Sequence, residues 1–187
     1  GHTAHATEAE ARAETATMLA EYRALDEDWL AIPVIPGEKS ASERFPGAGE
    51  THTIEAMVQD GKALQAGTSH YLGKNFGKAA NIKFKDANGG GGFVETTSWG
   101  VSTRLIGALI MSHSDDDGLV LPPKLAHFHV VILPIIHKDD QSGDVTEYCQ
   151  QLSDALRDAQ FAGQAVRSSV ASGEGRWWGE DMWGGTE

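Results

Sequence analysis

Between residues 7 and 32 apolar side chains recur every three or four positions: Met18, Leu19, Tyr22, Leu25, Trp29 and Leu30. That interval places them on one face of an amphipathic helix. Thr7 followed by Glu10 has the form of a capping box, and Pro33 stops the run, so the pattern predicts a helix over roughly 7–32. The stripe reads as a packing face rather than a cofactor-binding box. Residues 33–50, PVIPGEKSASERFPGAGE, mix proline, glycine and charge and predict a long loop with Phe45 as an isolated aromatic. Alternation then predicts a strand over 51–58, a hairpin turn at Asp60-Gly61 and a return strand over 62–67. A short helix within 75–84 leads into a strand over 82–85, Gly89 to Gly92 form a turn, and 93–98 read as another strand. The apolar run 105–111 reads as a helix, preceded by a small-residue turn at Thr97, Ser98, Trp99 and Gly100. Strands in hairpin order with helices beside them predict an α+β fold, an antiparallel sheet with a helix on one face.

After Leu121-Pro122-Pro123 the pattern changes. Residues 130–136, VVILPII, form a continuous apolar run with β-branched residues, the signature of a buried parallel strand. Asp144 and Glu147 are placed to cap a helix over 145–160, and Gly163 to end it. A strand followed by a helix opens an α/β unit, so a domain boundary is expected near 122–127.

Composition narrows the classes. A chain of 187 residues with 40% hydrophobic and 22% charged residues is globular and long enough to bury a core. A net charge of −12 argues against a protein that coats nucleic acid, which needs clustered cations. The single cysteine, Cys149, allows no internal disulfide and suits a reducing cytoplasm. No apolar stretch approaches the ~20 residues of a membrane span, and the N-terminus has no signal pattern.

The candidate chemistry concentrates in residues 96–123, TTSWGVSTRLIGALIMSHSDDDGLVLPP. Arg104 stands at the entrance of the predicted helix. There a guanidinium fork, helix N-terminal amides and a nearby glycine can together hold a polyphosphate; a surface arginine on an amphipathic helix is the other reading. Gln65 precedes Ala66-Gly67, where small residues let a ligand approach the backbone, or it is an ordinary edge-strand glutamine. His70 alone reads as a structural histidine. His113 with Asp115, Asp116 and Asp117, and His127 with His129, carry metal-ligating groups. Their spacing matches no metal motif, and consecutive aspartates read as a solvated turn, so no protein-bound metal is expected.

Three segments carry a resemblance to a known family. Residues 96–112 resemble motif 3 of class II aminoacyl-tRNA synthetases, in the form found in prolyl-tRNA synthetases of the archaeal/eukaryotic-like type. GHTAHAT at 1–7 resembles the end of that family's motif 2 region, and ALQAGTSHYLGKNF at 63–76 its proline-pocket segment. The likeness runs from Gly1 to about Val166. It implies part of a class II antiparallel-sheet catalytic core over 1–125, followed by the start of an α/β anticodon-binding domain over 126–187. It implies ATP-dependent activation of proline to prolyl-adenylate and transfer to tRNA(Pro), with ATP and Mg²⁺, in the cytoplasm, by an enzyme that dimerises when full length. By resemblance Arg104, the catalytic candidate, binds ATP with Gln65 and Ser102, while His2, Phe45, Thr68, His70, Ser98, Trp99 and Gly100 line the site for L-proline. Motif 1 and most of motif 2 are missing, so the chain is expected to be a fragment. A non-catalytic, synthetase-derived binding protein or a degenerate gene product is the alternative. The Trp- and Gly-rich tail 171–187 departs from the family; one account is a shifted reading frame.

Overall fold

The computed structural model describes residues 1–136 and 143–171. They divide into two compact units, one of Gly1–Leu125 and one beginning at Ala126. The predicted tail lies outside the described residues, apart from Ala171.

The first unit runs β1 (His2–His5), α1 (Glu8–Ala24), a π-helical turn (Leu25–Trp29), β2 (Val34–Glu38), β3 (Glu50–Met57), β4 (Ala63–Gly73), α2 (Asn75–Ala79), β5 (Lys83–Lys85), β6 (Gly91–Phe93), β7 (Glu95–Gly100) and α3 (Arg104–His113). Five strands form one antiparallel sheet in the order β1-β7-β4-β3-β2, and β5 with β6 makes a separate ribbon.

The capping box is formed: Thr7 Oγ1 accepts from Glu10 N at 3.3 Å, and Glu10 Oε2 accepts from Thr7 N at 3.2 Å. The helix starting there packs on one sheet face through Ala11, Thr15, Leu19 and Tyr22. Ser69 of β4 donates to Thr15 O at 2.8 Å, tying the sheet centre to the helix. The core gathers Leu30, Ile32, Val34, Ile54, Ala56, Ala66, Ala108 and Leu109, with Leu19, Tyr22, Leu64, Leu105 and Leu125 against them.

Several elements differ from the sequence expectation. The first helix passes into a π turn and stops at Trp29, because Ala31 takes φ +53°, which no helix continues. Part of the expected loop is strand β2. Pro36 is tolerated there because β2 is the sheet edge, where a missing N–H breaks no ladder. The return strand of the Asp60-Gly61 hairpin continues past residue 67 to Gly73, so the whole proline-pocket segment is one central strand. Thr97, Ser98, Trp99 and Gly100 are strand residues of β7 rather than a turn.

In the second unit, β8 (Val130–Ile132) precedes α4 (Asp144–Arg157). A small hairpin of β9 (Gln160–Phe161) and β10 (Gln164–Ala165) then leads to β11 (Ser168–Val170). β8 pairs parallel with β11, as the apolar run suggested, but Val131, Leu133 and Ile135 are exposed. The continuous run is therefore not a buried strand over its length. Gly143, at φ +74°, occupies the N-cap of α4, and Asp144 is the first helical residue instead of the cap. The helix ends at Arg157; Gly163 serves the turn between β9 and β10 with Ala162.

Asp26, in the π turn, is fully buried, and neither carboxylate oxygen has a hydrogen-bond partner among the described residues. Burial, aided by the charge of Glu27, pushes its carboxyl up to about 6 from 3.8. A carboxyl raised on folding stabilises below its unfolded value, and that contribution is lost as pH rises through the folded one. Asp26→Asn should therefore flatten the loss of stability between about pH 4 and pH 6. Urea midpoints of both proteins across that range test it; parallel pH profiles would contradict it. Ile54, wholly buried at the centre of the core, should cost about 2–5 kcal/mol when cut to alanine, read as a fall in the urea midpoint at constant slope.

Candidate active site

Strand register decides which side chains share the sheet face opposite α1. His2 of β1 lies opposite Ser98 of β7, Ser98 opposite His70 of β4, and His70 opposite Thr51 of β3. Directly opposed residues share a face, so these four form one row. Lys39, just past β2, extends it by donating its N–H to Thr51 O at 2.8 Å. Two residues further along, Gly100, Thr68 and Thr53 form the next row. A Cβ on Gly100 would meet nothing within 4 Å, so the face is open in front of Thr68.

Gln65 reaches this face because of a bulge. Ile54 pairs with Gly67 but Glu55 pairs with Gln65, leaving Ala66 as an extra residue. Without it Gln65 would alternate in step with Gly67 and Ser69, toward α1. With it, Gln65 lies beside Glu55, on the side of Thr51, Thr53, Thr68 and His70.

His70 is held on two sides. Its Nδ1 is 3.0 Å from Thr51 Oγ1, which accepts from Phe45 N at 3.1 Å. The Phe45 ring tilts over the imidazole at 5.2 Å between centroids, with Phe76 stacked behind it at 6.5 Å. Burial first, then the charges of Lys39 and His52, hold the His70 pKa below its ordinary 6.5. The ring is therefore neutral at pH 7. With Phe45 N–H already on Thr51 Oγ1, the hydroxyl proton can be donated to Nδ1, and Nε2–H becomes a donor for an acceptor on the open face.

The loop carrying Phe45 is tied down. Arg44 donates from Nη1 to Gly49 O at 2.8 Å, from Nη2 to Glu38 Oε1 at 2.7 Å and from Nε to Lys39 O at 3.4 Å. Asn75 Nδ2 donates to Gly47 O at 2.9 Å. Gly47 has φ +89°, and a Cβ there would stand 3.1 Å from the Phe76 ring.

Arg104 is the first residue of α3 and is exposed. Its N–H donates to Ser102 Oγ at 3.2 Å, and its Nη1 to Gln65 O at 3.4 Å. The structure thus gathers His2, Phe45, Thr68, His70, Ser98 and Gly100 with Gln65, and brings Arg104 and Ser102 to its edge. Trp99 is the exception. It pairs with Ser69, which faces α1, and strand alternation turns it away from Ser98. Its indole lies against Gly1, where a Cβ would meet it at 2.5 Å. Of the two aromatic rings that the resemblance assigns to the proline site, Phe45 lies against His70, and Trp99 lies on the other face.

Sequence reasoning missed Lys39. Its Nζ donates to Gln65 Oε1 at 2.5 Å. Nothing local marks it, because its position follows from β2, which the proline pattern concealed. Of the rival metal-ligating groups, three make other contacts. His113 Nε2 is 2.7 Å from Leu30 O, Asp115 accepts from Asp117 N and Gly118 N, and His129 Nδ1 accepts from Arg167 N. Among the described residues no group of three His, Cys, Asp or Glu could hold a metal ion.

No family model matches the chain. It is 58% identical over 183 residues to the proline–tRNA ligase of Rhodopirellula baltica, covering 95% of this chain and 36% of that protein. The proline–tRNA ligase of Porphyromonas gingivalis is 59% identical over 157 residues, covering 84% of this chain and 32% of that protein. The crystal structure of prolyl-tRNA synthetase from Cryptosporidium parvum, complexed with L-proline and AMP, superposes with a TM-score of 0.80 at 43% identity, covering 91% of this chain and 36% of that one. The chain spans about a third of the length of these relatives. Identity above one half, an antiparallel sheet of the same architecture and the gathered GTSH and SWGVSTR segments agree: the chain belongs to the prolyl-tRNA synthetase family of class II aminoacyl-tRNA synthetases.

Proposed function

We propose that this chain forms the floor on which a proline–tRNA ligase activates proline with ATP and transfers it to tRNA(Pro), acting in the cytoplasm as a homodimer when full length. Residues 1–125 are read as part of the catalytic domain and 126–187 as part of an anticodon-binding domain. The observation that carries the reading is the convergence of His70, Ser98, His2, Thr68 and Gln65 on one open sheet face, with Arg104 at its edge.

The chemistry needs positioning more than a nucleophile. A proline carboxylate oxygen attacks the α-phosphorus of ATP, the bond to the β-phosphate oxygen breaks, and pyrophosphate leaves. Phe45, half-exposed, offers an apolar edge to the pyrrolidine ring, while neutral His70 offers Nε2–H without competing as a cation for the carboxylate. Ser98 and Thr68 supply hydroxyls, and Gly100 leaves clearance. Gln65 and Ser102 hold the nucleotide, and Arg104 reaches its outer phosphates with a planar fork of donors. Mg²⁺ belongs to the nucleotide's phosphates and supplies charge neutralisation there.

The activity can be tested with this chain grafted in place of the matched span of the Rhodopirellula baltica ligase. Proline-dependent ATP–pyrophosphate exchange is expected from the graft. Arg104→Ala in it should cost on the order of 3 kcal/mol in kcat/KM, about a hundredfold, with the fold intact; near-normal exchange would remove Arg104 from the site. His70→Ala should raise the KM for proline well above any change in the KM for ATP. Equal effects on the two would place His70 outside the amino-acid pocket.

A further inference from the structure

The protein carries a net charge of −12, yet two of its cations on the open face have no acid. Among the described residues, neither Lys39 nor Arg104 has a carboxylate within ion-pair distance; Lys78, Lys83, Lys85, Lys124 and Arg167 share that state, but only Lys39 and Arg104 converge on one residue of the open face. Lys39 and Arg104 flank one residue: the ammonium is on the Gln65 side-chain oxygen, the guanidinium on its backbone oxygen. The Lys39 main chain lies in the His70 row. Its side chain therefore runs across the face from the histidine toward the glutamine. A half-buried ammonium without a counter-charge is unfavourable in a protein with acid to spare. The arrangement becomes favourable when an anion arrives between the two ends.

We propose that Lys39 is a further catalytic residue, whose ammonium contacts the oxyanion at the junction of the amino-acid carboxylate and the nucleotide α-phosphate. The inference rests on the proline-activating reading and adds a residue to it. The reaction gathers negative charge at that junction: a carboxylate oxygen bonds to phosphorus while pyrophosphate departs with its electron pair. Arg104, at the far side of Gln65, stands toward the outer phosphates. Lys39 stands between them and His70, over the bond being made. Gln65 accepts one of its three N–H donors, leaving two for oxyanions. The influence of the ammonium on the imidazole, holding His70 toward its neutral form, agrees with this proximity.

Two measurements separate failure of this inference from failure of the ligase reading. In the 187-residue chain itself, followed by NMR, Lys39→Met should raise the His70 pKa and weaken AMP binding about tenfold, whereas Lys39→Arg should keep most of the affinity. AMP binding unchanged by Lys39→Met overturns the proposal whether or not any ligase activity exists. In the grafted ligase, Lys39→Met should lower kcat for pyrophosphate exchange by on the order of a hundredfold, with both KM values moving much less. A raised KM for ATP at unchanged kcat would show that Lys39 only positions Gln65, and overturns the proposal. Thermal midpoints within a few degrees of the parent would show that the variants are folded. Where Lys39→Met melts early, Lys39→Gln, one atom shorter but with an N–H donor for Gln65, replaces it under the same criteria.

Discussion

One extra residue, Ala66, sets the character of the open face. β4 is the central strand, with α1 covering one side and the candidate site on the other. A strand offers alternate residues to alternate faces, and a single insertion exchanges the faces for everything beyond it. Beyond the bulge, Ala66 packs into the core while Gln65 turns to the side of Thr68 and His70. Gln65 then becomes the point on which Lys39 and Arg104 converge from different parts of the chain. With regular pairing the glutamine would lie under the helix, and the two cations would share no partner.

The two faces treat charge differently. Around α1 and the sheet rim, one group of ionic side chains is fully paired. Arg12 bridges Glu8 and Glu50 and lies 4.4 Å over the Tyr71 ring, Tyr71 donates to buried Glu95 at 3.0 Å, and Lys74 meets that same carboxylate at 3.4 Å. Such a network is complete and asks nothing of a ligand. On the open face the hydroxyls of Ser98 and Thr68, the neutral imidazole and the two unpaired cations form an incomplete set. On the proline-activating reading, the groups left unsatisfied there match a small molecule with an acid group and an apolar ring.

Short-range features were legible in the sequence. The Thr7–Glu10 cap, the Asp60-Gly61 turn and the start of α3 at Arg104 each depend on residues within a few positions, and their chemistry is explicit. Resemblance supplied His70, Ser98 and Phe45, for which spacing alone gave only ordinary readings. What stayed hidden depends on pairing across the chain. Pro36 and Gly37 disguised β2, since edge position, which excuses a proline, cannot be read locally. The bulge has no signal beyond a small residue. Resemblance assigns both Ser98 and Trp99 to the proline site, although adjacency in a strand means opposite faces. The VVILPII run obeyed the rule for buried strands, but only three of its residues pair and alternate ones are exposed.

The ties on the Phe45 loop have a thermodynamic consequence for whatever enters beside His70. Arg44, Asn75 and the Thr51 hydroxyl order the loop as part of the folded protein. The loss of chain entropy then falls on folding and not on association. Binding should show little of the entropic penalty of a segment that orders around its guest, and the position of Phe45 against His70 is set before the guest arrives. Discrimination at this end of the site is consequently by exclusion: a ring too large to lie beside Phe45 meets a wall that cannot easily yield.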